Sequence, residues 1–333
     1  MAIISKAATP SDVYRNPLLD NVSIAAFQDP AEFVATTVFP TVPVNDESFK
    51  YYNFNMDSIG QDKMRLRAPG TEAEEGVWDV SEVAGLCQQF AYKEKITEEL
   101  ILSAGNAANM ELAATMSCAE VALISAERRF ATNYFQTTKW GRDMVGAGSK
   151  VANTSYIYWS TTATSTPIDD ILAEKLIMKL SGKRQPNTLV LGALVKQQLV
   201  THPQIIGRLN NGQMPGAPAQ ATLADLAKLF EVDRVLVSYA VYNSAAESAT
   251  ASPAFICDSK SALLCYVAPN PAVMTPSAGY RFAWQGIAGN AMGVRNWKYW
   301  DQPRRSWFVE TAVNDAYLQT ATKLGTFLSG IIQ

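Results

Sequence analysis

Apolar residues recur at steps of three and four along one stretch of the chain, from about Ala108 to Trp140. Leu112, Met116, Ala119, Leu123, Phe130 and Tyr134 fall there on a single helical stripe. Glu111, Glu120, Glu127, Arg128 and Arg129 lie off it. No Gly or Pro interrupts the run, and good helix formers (Ala, Met, Leu, Glu, Arg) dominate it. The pattern predicts one helix of roughly 30 residues and about 45 Å, long against a usual length of about 11 residues. There is no sustained heptad and no second helix of equal length. The expectation is a single backbone helix lying across a sheet rather than half of a coiled coil.

Before that helix the pattern is less regular. In residues 1–47, Pro10, Pro17, Pro30, Pro40 and Pro43 break any long element. Yet Leu18, Leu19, Ile24, Phe27, Phe33, Val34, Val38 and Phe39 are apolar. An extended arm with one short helix near Pro30–Thr36 is predicted, and its apolar groups need cover from this chain or from another. Ser48–Asn55 and Leu86–Lys95 read as aromatic-rich strands. Between them lies a charged, Gly-containing stretch in which Lys63, Arg65 and Arg67 precede Glu72, Glu74 and Glu75. This reads as a long two-stranded hairpin with a charged tip. An isolated hairpin is marginal in water, so it needs a partner to lie on.

After the helix, Gly141–Thr166 reads as a loop. Its Gly146–Lys150 run lacks the spacing of a phosphate-binding loop, and no apolar strand precedes it, so a Gly/Ser turn is expected. Thr166 and Pro167 open a helix with Ile171, Leu172, Leu176, Ile177 and Leu180 inside. Asp169 and Asp170 are neighbours on that helix, point about 100° apart and do not converge on a metal; they suit the positive end of the helix dipole. Thr188–Leu191 is a buried strand, Leu194–Val200 a helix ending at His202-Pro203, and Gln204–Leu209 a short helical turn. Asn210–Ala219 is a Gly/Pro loop. Thr222 and Asp225 form a capping box for a further helix, and Val235–Val237 is again a strand. These elements make a compact α/β lobe.

Pro253–Cys257, Ala262–Val267, Tyr280–Ile287, Val294–Trp300 and Ser306–Thr311 read as strands. Arg295, Lys298, Arg304 and Arg305 interleave with Trp297, Tyr299, Trp300 and Trp307. That pattern suits single-stranded nucleic acid, but it is also the core-in, solvent-out alternation of an antiparallel sheet, and the sheet is expected. Lys323–Ile332 is apolar and should close back on the lobe.

Composition narrows the chemistry. With 333 residues, 48% of them hydrophobic and 18% charged, the chain has the means for a real core. A net charge of −3 provides no basic footprint for nucleic acid. Cys87, Cys118, Cys257 and Cys265 show no metal or redox spacing and are expected to be reduced and buried. His202 is the one histidine, with no second ligand to share a metal, and is expected to be structural. No hydrolase, zinc or dinucleotide motif stands in a useful context, and nothing places two carboxylates together. No enzyme activity, cofactor or metal is therefore expected. Asn21 and Asn153 open glycosylation patterns, but no signal peptide is read, and no apolar run reaches the roughly 18 residues of a membrane helix.

The run Asn187–Gly192, the His202-Pro203 helix end and the stretch Thr222–Val237 resemble the axial lobe of the major capsid proteins of tailed double-stranded-DNA phages, which share the Hong Kong 97-type fold. Arm, extended hairpin, long spine helix and axial lobe follow one another in that family's order, so the resemblance covers nearly the whole chain. It implies an α+β, Hong Kong 97-like architecture: arm 1–47, hairpin 48–95, peripheral domain with spine helix 96–184, axial domain 185–290, return strands 291–322 and C-terminal segment 323–333. It implies a structural, self-assembling subunit that forms hexamers and pentamers in an icosahedral shell around phage DNA, in a virion made in a bacterial cytoplasm. Duplex DNA would be held by weak, non-specific contact; no membrane is involved. Scaffolding, portal and decoration proteins are the further partners implied, with scaffolding separate or dispensable because no coiled segment precedes the arm. Leu18, Phe27 and Phe39 of the arm, and Lys63, Arg65, Arg67, Glu72, Glu74 and Glu75 of the hairpin, are the expected contacts between subunits. An encapsulin-type nanocompartment, with the same fold around a protein cargo, is the alternative; an unrelated α+β enzyme ranks behind it.

Overall fold

The computed structural model describes residues 28–57, 61–73, 75, 80–104, 107–210, 221–245, 250–272, 275–288 and 292–333. In chain order, α1 (Ala35–Val38) and β1 (Thr41–Val44) lead to β2 (Ser48–Phe54), β3 (Val80–Leu86) and β4 (Gln88–Thr97). A short α2 (Glu98–Ala104) and the spine helix α3 (Ala107–Tyr134) follow. Next come β5 (Arg142–Ala147), β6 (Ser155–Ile157), α4 (Pro167–Gly182), β7 (Thr188–Gly192), α5 (Ala193–Thr201), α6 (Pro203–Asn210), α7 (Leu223–Leu229) and β8 (Arg234–Ser238). The chain closes with β9 (Val241–Asn243), β10 (Pro253–Phe255), β11 (Ala262–Cys265), β12 (Gly279–Trp284), α8 (Gln285–Ala288), β13 (Val294–Asp301), β14 (Ser306–Gln319) and β15 (Gly325–Ser329).

Two large sheets carry most of these strands, and β2–β3 and β9–β10 form separate two-stranded pairs. The axial sheet has six strands in the order β6-β5-β15-β11-β7-β8. It is buried on both faces, which is why β7 and β11 read as unbroken apolar runs rather than alternating ones. Leu189, Leu191, Ala262, Leu264 and Leu328 face a core shared with Ile168, Ile171, Leu199, Leu226 and Phe230 of the helices. Val190, Leu263, Cys265 and Phe327 face the other way, onto Phe130 and Tyr134 of the spine. The peripheral sheet is built on the long β14, which pairs with β12, β13 and β4, while β1 adds in parallel to β12. The spine helix lies across this sheet, with Cys118 packed against Val309 and Ile96.

The spine changes its buried face along its length. Phe130 and Tyr134 are fully buried, as the apolar stripe predicts. Further towards the N-terminus the stripe fails: Leu112 and Met116 are exposed, and Ala114 and Cys118, half a turn away, are buried instead. Small side chains face the peripheral sheet because the helix runs close over it. The helix also ends at Tyr134, with Trp140 folded back so that its indole N–H donates to the Tyr134 carbonyl at 2.7 Å.

Other expectations shift in the same way. The hairpin partner of β2 is Val80–Leu86, not Leu86–Lys95; the aromatic-rich run belongs to β4 and pairs with β14. Residues 141–166 hold β5 and β6 and are not a plain loop. On α4, Leu176 and Leu180 are exposed, while Asp170, Glu174 and Lys175 are buried with Ile171 and Met178. Thr166 precedes that helix, but its hydroxyl makes no capping bond. The Thr222–Asp225 capping box forms as read. These pairings move the domain bounds. Residues 142–182 belong to the axial sheet and its core rather than to 96–184 with the spine. Residues 279–284 belong to the peripheral sheet rather than to 185–290. β14 runs on to Gln319, and β15 sits in the middle of the axial sheet.

Candidate assembly surfaces

The segment from residue 28 joins the body of the chain through a clasp. Glu127, wholly buried on the spine, accepts the Ala35 N–H and the Ser238 hydroxyl, both at 2.8 Å, with the Cys257 thiol at 3.5 Å. Burial pushes its carboxyl above the usual glutamate range, against the pull of these hydrogen bonds. Arg234 donates to the carbonyls of Thr37 and Val38 at 3.0 and 2.6 Å, closing the C-terminal end of α1. Gln28 pairs through its amide with both backbone groups of Val241. Residues 28–44 are thus fastened to the body of the chain, with Phe33, Val34, Ala35, Val38 and Phe39 buried in its core. Phe39 belongs here: it is 1% exposed and lies 4.5 Å from the Tyr134 ring, which removes it from the inter-subunit contacts expected of it. Leu18 and Phe27 lie outside the described residues.

Spine and peripheral sheet are joined by a buried charge cluster. Asp315 accepts from Arg281 at 2.9 Å and from Arg129 at 2.8 Å, and Arg129 also lies 4.0 Å over the ring of Phe90. In the axial lobe, Arg142 pairs with both oxygens of the buried Glu174, to which Tyr156 donates at 2.5 Å. Asp170 takes Lys150 at 2.7 Å and the Trp159 indole N–H. Asp170 is thus an interior anchor, beyond the dipole role expected of it. These groups are fully engaged with one another and fix helix α4 to the sheet. His202 is buried between the Ser165 hydroxyl at 2.9 Å and the Gln204 N–H at 3.2 Å; the second bond makes Nδ1 an acceptor, and burial lowers its pKa. All four cysteines are free and buried. Among the described residues, no group of His, Cys, Asp and Glu is placed to hold a metal, and no helix is long and apolar enough to cross a membrane.

The β2–β3 hairpin packs on the peripheral sheet through Phe49 and Tyr51, and its connecting loop is rooted on the body of the chain. Phe54 and Met56 are buried, the Phe54 N–H donates to the Thr320 carbonyl, and Lys323 pairs with Asp57 at 2.5 Å. Beyond the root, residues 61–73 and 75 are exposed throughout. Lys63, Arg65, Arg67, Glu72 and Glu75 all stand at this surface; Glu74 lies outside the described residues. Met64 and Leu66, which the charge pattern masked, are almost completely bare at 90% and 104% exposure. Their signal was present in the sequence as the alternation Lys-Met-Arg-Leu-Arg.

A third surface lies at the N-terminal end of the spine. Leu100 and Leu102 of α2 and Leu112 and Met116 of α3 are exposed. Glu98, Ile101, Leu102, Trp300 and Trp307 line an open groove of about 530 Å³. Trp300 and Trp307 are a cross-strand pair with ring centroids 5.2 Å apart. Of the basic residues interleaved with these aromatics, Arg295 and Lys298 stand on β13 and Arg304 and Arg305 in the turn before β14, all of them exposed; Lys298 lies 4.1 Å over Trp307 and is ion-paired to Glu111.

No protein-family model matches the chain. It is 27% identical to the major capsid protein of Burkholderia phage BcepMu over 233 residues, 68% of this chain and 69% of that one. A phage-related protein from Bordetella bronchiseptica superposes with a TM-score of 0.67 at 19% identity, covering 95% of this chain and 97% of the other. The capsid of cyanophage P-SCSP1u gives 0.59 at 10% identity over 98% and 91%. The SrpI encapsulin of Synechococcus elongatus gives 0.55 at 9% over 99% and 93%. The chain thus has the Hong Kong 97-type fold of these shell proteins, and its sequence is similar to that of a phage major capsid protein.

Proposed function

We propose that the chain is the structural subunit of an icosahedral shell enclosing phage double-stranded DNA. The observation that carries this is joint: a capsid-type fold over essentially the whole chain, together with a sequence relative that is a phage major capsid protein. Encapsulins share the fold, and the sequence relative favours the phage reading. The role is mechanical. The peripheral sheet and spine make a platform, the axial lobe meets its copies around five- and six-fold centres, and arm and hairpin reach onto neighbours. Hexamers and pentamers of this kind imply a portal for DNA entry, with scaffolding and decoration proteins as further partners. Synthesis would be in the host cytoplasm. The subunit carries a charge of −3, so its hold on duplex DNA is weak, non-specific and steeply salt-dependent.

Particles purified from an infected or expressing host and treated with nuclease test the reading. Protected double-stranded DNA is the expected content. A co-purifying folded protein cargo with no protected DNA supports the nanocompartment instead.

A further inference from the structure

Two neighbouring stretches of the chain are held to its body by different means. β1 is laddered to β12, and the Arg281 N–H donates to the Pro40 carbonyl just before it. Residues 28–35 belong to no ladder. Gln28 is tied to Val241 and Glu120, the Glu32 carbonyl accepts from the Tyr239 N–H, and the Ala35 N–H donates to Glu127. Of these ties, the one to Glu127 ends on a titratable side chain that is wholly buried.

Glu127 sits where the spine, α1, Ser238 at the end of β8 and Cys257 before β11 meet. The charged and titratable groups around it are engaged elsewhere. Arg128 lies 5.2 Å over the Tyr242 ring, and Arg129 is paired with Asp315. Arg234 faces the carbonyls of Thr37 and Val38. Glu120 accepts from Gln28, Asp29 from the Ala31 N–H and Asp258 from the Ser261 hydroxyl. Tyr134 donates to the Tyr280 carbonyl, and Tyr317 stands in the same core. Among the described residues no cation pairs with Glu127, so hydrogen bonds alone support its ionised form, and a buried charge held in that way is costly. The neutral form fits the same atoms. With its proton on Oε1, Glu127 donates to the Ser238 hydroxyl oxygen, which accepts as well as donates, and Oε2 still takes the Ala35 N–H.

We propose that Glu127 is a proton-operated latch on residues 28–35: neutral, it holds that stretch closed on the spine; ionised, it favours transient release, with Arg234 still gripping Thr37 and Val38 and β1 still in its sheet. The latch follows from the chain's own contacts and operates whether or not copies assemble. Burial raises the carboxyl, so the closed state takes up the proton before the open state does. The hold is fully present below the ordinary glutamate value of about 4.3. It weakens as pH rises towards the raised value and levels off above it. One proton is linked, so release grows by at most about tenfold per pH unit.

Hydrogen exchange of the full chain from pH 4.5 to 8, read at the Glu32, Phe33 and Ala35 amides, tests this. Glu127→Gln is the reference. Its side chain imitates the neutral acid, accepting from Ala35 and donating to Ser238, and it shares the intrinsic exchange chemistry at each pH. Wild-type protection should match the variant near pH 4.5, then fall below it by up to about tenfold per pH unit before levelling off. The Leu189, Val190 and Leu191 amides of β7 should stay better protected throughout, as expected of local opening. Equal protection of wild type and variant at every pH overturns the latch. So does equal protection of residues 32–35 and β7, because the stretch then opens only with the whole subunit. If Glu127→Gln does not fold, Ser238→Ala replaces it. That variant keeps the carboxylate, removes one donor and should carry the fall in protection to higher pH than in the wild type; an unchanged profile contradicts the latch.

Discussion

The two ends of the spine helix are finished differently. At the C-terminal end, Phe130 and Tyr134 are buried by the chain itself, among Phe39, Trp140 and Tyr317, and Glu127 is tied to α1 and to β8. The Tyr134 ring lies so close over Gly279 that a Cβ there would come within 2.7 Å of it. At the N-terminal end, Ala114 and Cys118 are buried while Leu112 and Met116 face outward beside Leu100 and Leu102. One end is closed within the subunit. The other carries its apolar stripe to a surface that, on the shell reading, a second copy covers. An amphipathic stripe therefore says that a face is apolar; what covers that face is decided by where the helix leaves its own core.

Breaking the closed end should cost most. Phe130→Ala empties a fully buried aromatic site and should lower the unfolding free energy of the unassembled subunit by about 3–5 kcal/mol in urea titration. Leu112→Ser with Met116→Ser should stay within about 0.5 kcal/mol of the wild type while reducing particle yield. Equal losses from the two variants would erase the comparison.

Truncation separates the arm from its clasp. Removal of residues 1–40 takes Val34, Ala35, Val38 and Phe39 out of the core and should unfold the subunit. Removal of residues 1–27 spares them. That shorter cut should leave a native circular dichroism spectrum and a subunit unable to close a shell. Normal particles from it would show that the arm is not an assembly element.

A smaller effect comes from the titration of Glu127. Its folded-state pKa is raised by burial, so the folded state takes up the proton before the unfolded state does. Stability from this group is fully present below the ordinary glutamate value of about 4.3 and is lost as pH rises through the raised value. Glu127→Gln cannot titrate. The unfolding free energy of the wild type minus that of Glu127→Gln should therefore grow as pH falls from 7 towards 4.5. A flat difference over that range would mean that the carboxylate is not desolvated. Smallest of all for the lone subunit is the reversal of Glu72, Glu74 and Glu75 to Lys, which should leave its melting unchanged because exposed charges contribute little. If those charges steer the hairpin loop onto a neighbouring copy, assembly of the reversed variant should become strongly salt-dependent; salt-independent assembly at wild-type yield would remove them from the contact.

The order of the elements was legible in the chain because punctuation is local. Pro167, the Thr222–Asp225 box and the unbroken run 107–134 each announce an element from within it. Sheet membership was not legible, because strand pairing is a long-range choice. Nothing inside Val80–Leu86 marks it as the partner of β2, since it lacks the aromatics that make β4 conspicuous. Nothing in Arg142–Ala147 foretells a strand laid beside residues 326–329. The burial of Glu174 and Lys175 was likewise hidden, because their partners Arg142, Tyr156 and Glu231 come from elsewhere in the chain. Of the candidate assembly surfaces, the charges of the hairpin loop could be read directly. The bare apolar pair on that loop could be read only once Met64 and Leu66 were seen to have no core to enter.

The central claim is that this chain is a shell subunit, and the mass of its assembled state tests that most directly. Sedimentation velocity of the purified full-length chain, with electron microscopy of the same fractions, should show rings or closed particles in the megadalton range with a defined diameter. A single small oligomer of fixed mass, unchanged across protein concentration and salt, would contradict it.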